Sequence, residues 1–275
     1  YKMSGDPLFA LDGRVVVVTG GYGLLGRRVV QAPLRRRAKV AVFDPAEKPK
    51  NLMKLFGPRA SGSNLLAAEA DVTQKSSVKA AFGRVVRQWG VPDGLINCAA
   101  LDSPPNSPPE ENGPFETYPE ETWDRVMEVN VKGVFLACQV IGGAMAKAGR
   151  GSVININSTY GLVSPDQRIY DYRTQKDRRF YKPVSYAASK SSLFNLTRYL
   201  ATYWAPRNVR VNSVTFGGVY DKQDPRFLKE YCRRVPMGRM ARAGEYDGAV
   251  IFLLSEASSY MTGANLVLDG GWTAW

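Results

Sequence analysis

Four consecutive valines, Val15 to Val18, run without a break into Thr19-Gly20-Gly21-Tyr22-Gly23-Leu24-Leu25-Gly26, and residues 27–34 then read as a helix despite Pro33. A β-branched run, a glycine turn and a helix, in that order, restrict the chain to folds in which a buried strand feeds directly into a helix. Glycines allow a tight turn and a close approach of backbone to a pyrophosphate. The helix N-terminus adds amide donors and the positive end of its dipole at that point. Read alone, the pattern also fits a purely structural strand-to-helix turn.

The alternation continues along the chain. Residues 39–43, 65–70, 94–97, 152–157, 209–214 and 265–268 join residues 14–18 as seven strands, separated by helical segments. Their near-continuous apolar character implies burial on both faces of a parallel sheet. The fold class expected is therefore doubly wound α/β, a seven-stranded parallel Rossmann sheet. A length of 275 residues with no repeat or interdomain linker suits a single domain over 1–275. The Pro-rich and acidic stretch 101–121 reads as a surface loop, and 164–183 is a second irregular segment.

The chain has no histidine, and its three cysteines, Cys98, Cys138 and Cys232, have no metal-like spacing. That removes the usual general base and the commonest metal ligand, so a Ser-His-Asp triad is excluded and no metal site is expected. Cys98 and Cys138 read as small buried residues. Thirty-seven Lys and Arg against 25 Asp and Glu give +12, read as a solvated basic surface that also favours anionic ligands. The run Arg35-Arg36-Arg37-Ala38-Lys39 falls where a helix ends, complementing its dipole. No basic and aromatic module for nucleic acid is seen, and no stretch approaches the ~20 apolar residues of a membrane span. Residues 1–11 lack a signal pattern. A cytoplasmic protein without nucleic-acid or membrane partners is the expectation.

Tyr186 and Lys190 lie in Tyr186-Ala187-Ala188-Ser189-Lys190. Four apart on a helix, they share a face, and the ammonium is expected to lower a phenol pKa that is ordinarily about 10. Asp44, at the end of the second strand, stands 24 residues after Gly20. A carboxylate there accepts hydrogen bonds from a ribose diol and repels a 2′-phosphate, which favours NAD over NADP. Lys48 and Lys50 nearby keep NADP open.

Together these residues resemble the short-chain dehydrogenase/reductase family over nearly the whole chain. The family's elements stand in order: the glycine turn, Asp71-Val72, Asn97-Cys98-Ala99-Ala100, Asn130 within Val129-Asn130-Val131-Lys132-Gly133, Ser158, Tyr186 with Lys190, and Gly217. The resemblance implies Tyr186 as acid/base, Ser158 polarising the reacting oxygen, Lys190 on the nicotinamide ribose, and Asn130 anchoring a relay water. It implies that Gly20, Tyr22, Gly23, Leu24, Leu25, Gly26 and Asp44 hold the dinucleotide. Asp71 and Val72 would flank adenine, Asn97 and Ala99 would line the cofactor channel, and Gly217 and Val219 would approach the nicotinamide. Segment 221–243 would be a mobile lid, and long helices starting near Glu120 and Ser185, with an apolar tail at Trp272 and Trp275, would build a homotetramer or homodimer.

The chain departs from the family pattern in three places. Leu24 stands where a glycine is usual, with Gly23 one earlier. Asn97 is followed by Cys98, Ala99 and Ala100 in place of Ala-Gly, and Phe216 replaces a proline before Gly217. Ser158 and Tyr186 are 28 positions apart, about twice the family's separation, because of the insert at 164–183. Its Asp166, Gln167, Arg168, Tyr170, Asp171, Tyr172 and Arg173 suit a polyhydroxylated or anionic substrate, with Arg168 and Tyr170 as substrate contacts. They would serve equally at a subunit interface. The insert and the C-terminal residues also resemble a bacterial subgroup linked to surface-carbohydrate and flagellin-glycan synthesis. The expectation is an NAD-dependent oxidoreductase of a sugar hydroxyl or carbonyl. The alternatives are an NADPH-dependent 3-oxoacyl thioester reductase and a non-catalytic dinucleotide-binding sensor or scaffold.

Overall fold

The computed structural model describes residues 6–102, 108–174 and 178–275. Seven strands, β1 (Val15–Thr19), β2 (Lys39–Asp44), β3 (Leu65–Glu69), β4 (Gly94–Asn97), β5 (Gly151–Ser158), β6 (Val209–Phe216) and β7 (Asn265–Leu268), form one sheet. All neighbours are parallel, in the order β3-β2-β1-β4-β5-β6-β7. The expected doubly wound fold is what the chain adopts. Every residue of β1 is buried, which is why its sequence shows no polar alternation.

Successive side chains on a strand point to opposite faces, and the two cores divide accordingly. Val16, Val18, Val40, Val42, Ile96 and Ile154 pack under α1 (Leu24–Arg35) and α10 (Asp247–Leu254). Val15, Val17, Ala41, Leu95, Val153 and Val211 pack under the helices of the other face. After α2 (Leu52–Phe56), these include α3 (Lys75–Trp89), then α4 (Glu120–Met127), α5 (Gly133–Ala137) and α6 (Gly143–Ala148). The last three are joined by π-helical turns at Glu128–Lys132 and Cys138–Gly142 into one helix, Glu120–Ala148. By length and composition that helix could cross a bilayer, but Val134, Ala137, Ile141 and Met145 are committed to the core. Short α7 (Thr159–Leu162) precedes the insert, and α8 (Val184–Trp204) completes this face.

α1 begins at Leu24, three residues earlier than the sequence reading placed it, and carries Pro33 inside its last turn. Burial of Val29, Val30 and Leu34 outweighs the single lost backbone hydrogen bond.

The chain crosses over between β3 and β4, so β1 and β4 are neighbours whose carboxyl ends open a crevice, the usual ligand position in such sheets. A third apolar cluster lies beyond the sheet. It joins Ile169, Tyr170 and Phe180 of the insert to Tyr231, Val235 and Met240 of the segment around α9 (Pro225–Arg234), with Tyr160 and Trp272. Trp272, expected in an apolar tail, is buried by its own chain, where it stacks on Tyr231 at 4.5 Å. Trp275 remains exposed. Residues 103–107 and 175–177, within the expected loop and insert, lie outside the described residues.

Candidate active site

Most site residues stand on strand ends, on the turns just after them or near helix starts, and Asn130 lies within a helix. Thr19 ends β1, and its hydroxyl accepts from the amides of Cys98 and Ala99 at 3.1 and 3.2 Å, tying the glycine turn to the segment after β4. Gly20 has φ +68°, and a Cβ there would lie 2.6 Å from Ala99 Cα. A Cβ on Gly26 would meet Gly20 O at 2.0 Å. Two turns of backbone are thus in contact, which only glycine permits. Gly23 differs, since a Cβ there would find only Gly20 O at 3.5 Å.

Gly23 is the N-cap of α1 and offers no side chain to its first turn, so the amides of Leu24, Leu25 and Gly26 have no side-chain acceptor. Leu24 projects to solvent and Leu25 packs against the core. Tyr22 leans on Phe56 at 6.2 Å. Asp44, buried at the end of β2, accepts from the Tyr22 and Ala46 amides, one to each carboxylate oxygen, both at 3.0 Å. Each oxygen keeps a lone pair. An open helix N-terminus, a glycine turn that admits no Cβ, and a carboxylate one strand away fit a dinucleotide diphosphate and its adenosine ribose.

Other residues expected on the cofactor side divide in two. Asp71 accepts from Thr73 amide and hydroxyl, and buried Val72 lies against Gly133, where a Cβ would meet it at 2.7 Å. Both sit just past β3. Gly217 donates to Leu268 O at 2.9 Å and Val219 pairs with Ala241. Phe216, where a proline is usual, stacks on Tyr246 at 4.0 Å, and the Tyr246 hydroxyl donates to Gly217 O. The side chain of Asn97 faces the interior. It donates to Asn155 Oδ1 at 2.8 Å and to Cys138 Sγ at 3.3 Å, and its own Oδ1 has no partner. It stitches β4 to β5, and of the two residues expected to line the channel Ala99 borders the glycine turn.

Ser158 ends β5 and caps α7, accepting from the Tyr160 amide at 3.2 Å. The phenol of Tyr186, on the first turn of α8, faces Ser158. Burial pushes that phenol far above its ordinary value of 10.0; the charge of Asp102 adds to the rise and the Ser158 side chain opposes it. Lys190 is buried too, which lowers its pKa to about 8. Its ammonium donates to Ile156 O at 2.9 Å and stands 5.9 Å from the Tyr186 ring centroid. In the chain by itself the phenol pKa is therefore raised rather than lowered, because desolvation of the phenol outweighs the groups that favour its phenolate. Cys98 is half-buried, and desolvation pushes its thiol up to about 11.

Asn130 lies in the first π turn, fully buried. Its amide accepts from Leu101 N at 2.7 Å and donates to Leu101 O and Ser189 Oγ, both at 2.9 Å. Ser189 in turn donates to Tyr186 O at 2.8 Å. The Asn130 side chain is thus committed to holding the segment after β4 against α8. Arg168, expected at the substrate, is 74% exposed and bound to Asp166 on the outer surface, away from Tyr186. Tyr170 lies closer: its hydroxyl meets that of Tyr160 at 2.9 Å inside the cluster that packs against Tyr186.

Two residues escaped the sequence reading. Lys182, 9% exposed, pairs with Asp102, and its ammonium lies 4.9 Å from the centroid of the Tyr186 ring. Lys182 precedes Tyr186 by four positions, the same interval by which Lys190 follows it, and that symmetry was the available signal. Asp102 carried none.

Residues 24–273 match the family model described as enoyl-(acyl carrier protein) reductase. The chain is 29% identical to the NAD-dependent glycerol dehydrogenase of Listeria innocua, over 98% of this chain and 97% of that protein. It is 32% identical to the ribulose-forming D-arabinitol 2-dehydrogenase of Scheffersomyces stipitis, over 98% and 97%. Among solved structures, a short chain dehydrogenase from Leptospira borgpetersenii with bound NAD+ superposes with a TM-score of 0.84 at 32% identity, covering 99% of this chain and 98% of that one.

Proposed function

The chain belongs to the short-chain dehydrogenase/reductase family, an oxidoreductase of CH–OH groups, and we propose that it transfers hydride between NAD and a hydroxyl or carbonyl of a sugar or polyol. The observation that carries this reading is the Tyr186 phenol facing Ser158 at the carboxyl end of the sheet, with the Lys190 ammonium 5.9 Å from its ring centroid. Bound nicotinamide would supply the hydride acceptor or donor. Tyr186 Oη takes the proton from the alcohol during oxidation and returns it during reduction, while Ser158 Oγ holds the reacting oxygen. Burial of the phenol favours its protonated form, which is the form needed for reduction. Oxidation accordingly gains from higher pH.

Asp44 supports NAD over NADP, since a carboxylate at the end of β2 can accept from a ribose diol and would repel a 2′-phosphate. The polar insert and the glycerol and arabinitol dehydrogenases among the relatives support a polyhydroxylated substrate. A 3-oxoacyl chain would meet Lys182 and Asp102 near the phenol, a charged entry that suits it less. The surface-carbohydrate setting and a cytoplasmic location go with the same reading. Exposed Phe135 on α5 and Tyr199 and Tyr203 on α8 support assembly through these helices into a homodimer or homotetramer.

The test is a screen of glycerol, arabinitol and related polyols with NAD, comparing wild type with Tyr186→Phe. A loss of 10²-fold or more in turnover, with NADH binding kept within a few-fold, is expected. Equal turnover by the variant would remove Tyr186 from the chemistry.

A further inference from the structure

The insert between Ser158 and Tyr186 ends at Lys182, and its geometry holds that one side chain in place. Gln167, in the 3-10 turn Gln167–Arg173, clamps the Lys182 backbone from both sides. Its Oε1 accepts from Lys182 N at 2.8 Å and its Nε2 donates to Lys182 O at 3.4 Å. The preceding residue is tied as well, since Tyr181 N donates to Asn112 O at 2.9 Å. Pro183 then caps α8, and Tyr186 follows within its first turn. The Lys182 ammonium is thereby fixed 4.9 Å from the Tyr186 ring centroid, closer than Lys190 at 5.9 Å, and is paired with Asp102 on the segment after β4. Asp102 is anchored through its neighbour, because Leu101 is gripped at both N and O by Asn130.

We infer that Lys182 is a second positioning cation for the reacting tyrosine, delivered by the insert and held by Asp102. This rests on the reading of Tyr186 as the proton-transfer group. A buried lysine that only needed a partner for its charge could have met Asp102 anywhere along the insert. Here the Lys182 ammonium is set over the ring of the phenol that also faces Ser158.

The two charges act on that phenol in opposite senses: the ammonium favours the phenolate and the carboxylate disfavours it. The remaining groups facing Tyr186 are Ser158 from β5, Cys98 after β4, Tyr160 from α7 and Lys190 from α8. Tyr170 is linked through Tyr160. Only Lys190 carries a charge among these, and its ammonium is directed at Ile156 O. The Lys182–Asp102 pair is therefore the adjustable charge at the site. Removing either member unmasks the other.

The experiment places a fluorinated tyrosine at position 186, whose lower intrinsic pKa brings its titration into reach, and follows it by fluorine NMR without any turnover. Lys182→Met should raise the midpoint, and Asp102→Asn should lower it, each by on the order of one pH unit or more. Lys182→Arg should restore a midpoint near that of the unsubstituted background. Shifts of opposite sign are the signature, since loosening of the site would move both variants the same way. A midpoint unmoved by Lys182→Met, or moved equally by Lys182→Arg, would overturn the assignment. Should Lys182→Met fail to fold, Lys182→Gln and Asp102→Asn carry the same pair of signs. Failure to turn over any polyol would count against the proposed function and would leave the NMR outcome to decide this inference alone.

Discussion

Lys190 and Tyr186 lose water together, and burial moves their proton affinities in opposite directions. Lys190 falls from 10.5 to about 8, so between those values the unfolded chain holds a proton that the folded chain has released. Stability contributed by this group therefore rises with pH across that window and is lowest below it. Tyr186 is raised above 10.0, so beyond pH 10 the folded chain keeps a proton the unfolded chain has lost, and stability falls. Urea denaturation of the ligand-free protein should accordingly show a rise from about pH 8 towards 10 and a fall above it. Lys190→Met should abolish the rise and stabilise the protein at neutral pH by up to about 3 kcal/mol. A variant with the wild-type pH dependence would show that the ammonium is not desolvated. Asp44 makes a different residue-scale prediction. Asp44→Ala should weaken NADH at least tenfold while leaving NADPH unchanged or tighter, read by fluorescence titration. It should also cost roughly 1–3 kcal/mol, because the amides of Tyr22 and Ala46 lose their acceptor. Unchanged NADH affinity in a folded variant would remove the ribose role.

The glycine turn is the element whose tolerance separates packing from ligand binding. A Cβ at Gly26 would stand 2.0 Å from Gly20 O, inside any contact distance, and the atom it meets is backbone that cannot swing aside. At Gly23 the nearest atom is 3.5 Å away. Gly26→Ala should therefore lose 3 kcal/mol or more, on the order of a severe overpacking defect, or yield no folded protein. Gly23→Ala should cost no more than ~1 kcal/mol, the scale of a changed N-cap. Thermal denaturation of the two variants distinguishes them, and equal losses would mean that the turn is held differently. The comparison also explains the unusual Leu24. It projects into solvent at the helix start, so a glycine there is not required for the chain to fold, whatever the dinucleotide demands of it. Glycine spacing marks the turn and does not mark the first helical residue, so α1 begins at Leu24, three residues before the helix expected from the sequence.

At the scale of the molecule, the sheet was legible because strands buried on both faces leave uninterrupted apolar runs, and all seven were read within one or two residues of their ends. The Ser158, Tyr186 and Lys190 set was legible because two of its members share a helix and the third ends a strand. Lys182 and Asp102 were not, since they are 80 positions apart and meet only when the insert closes over β4. The cover of Trp272 was not legible for a related reason: an apolar residue near the end of the sequence does not reveal that the chain's own Tyr231 stacks on it. Among the large side chains left uncovered are three aromatic ones on α-helices. Tyr199 and Tyr203 stack at 6.1 Å on the outer side of α8 with 64% and 59% of their surfaces exposed, and Phe135 of α5 is 47% exposed. Three large apolar side chains cost little alone, but grouped on long helices they favour burial by another copy. The Tyr199→Lys, Tyr203→Lys double variant should sediment at a lower mass than wild type. Its melting at low protein concentration should be unchanged, because the replaced side chains contribute little to the monomer core. Since Tyr186 lies on the same helix with its ring turned inward, dinucleotide binding should survive the loss of assembly. A wild-type chain that sediments as a monomer, or a double variant that stays assembled, would exclude this face as the interface.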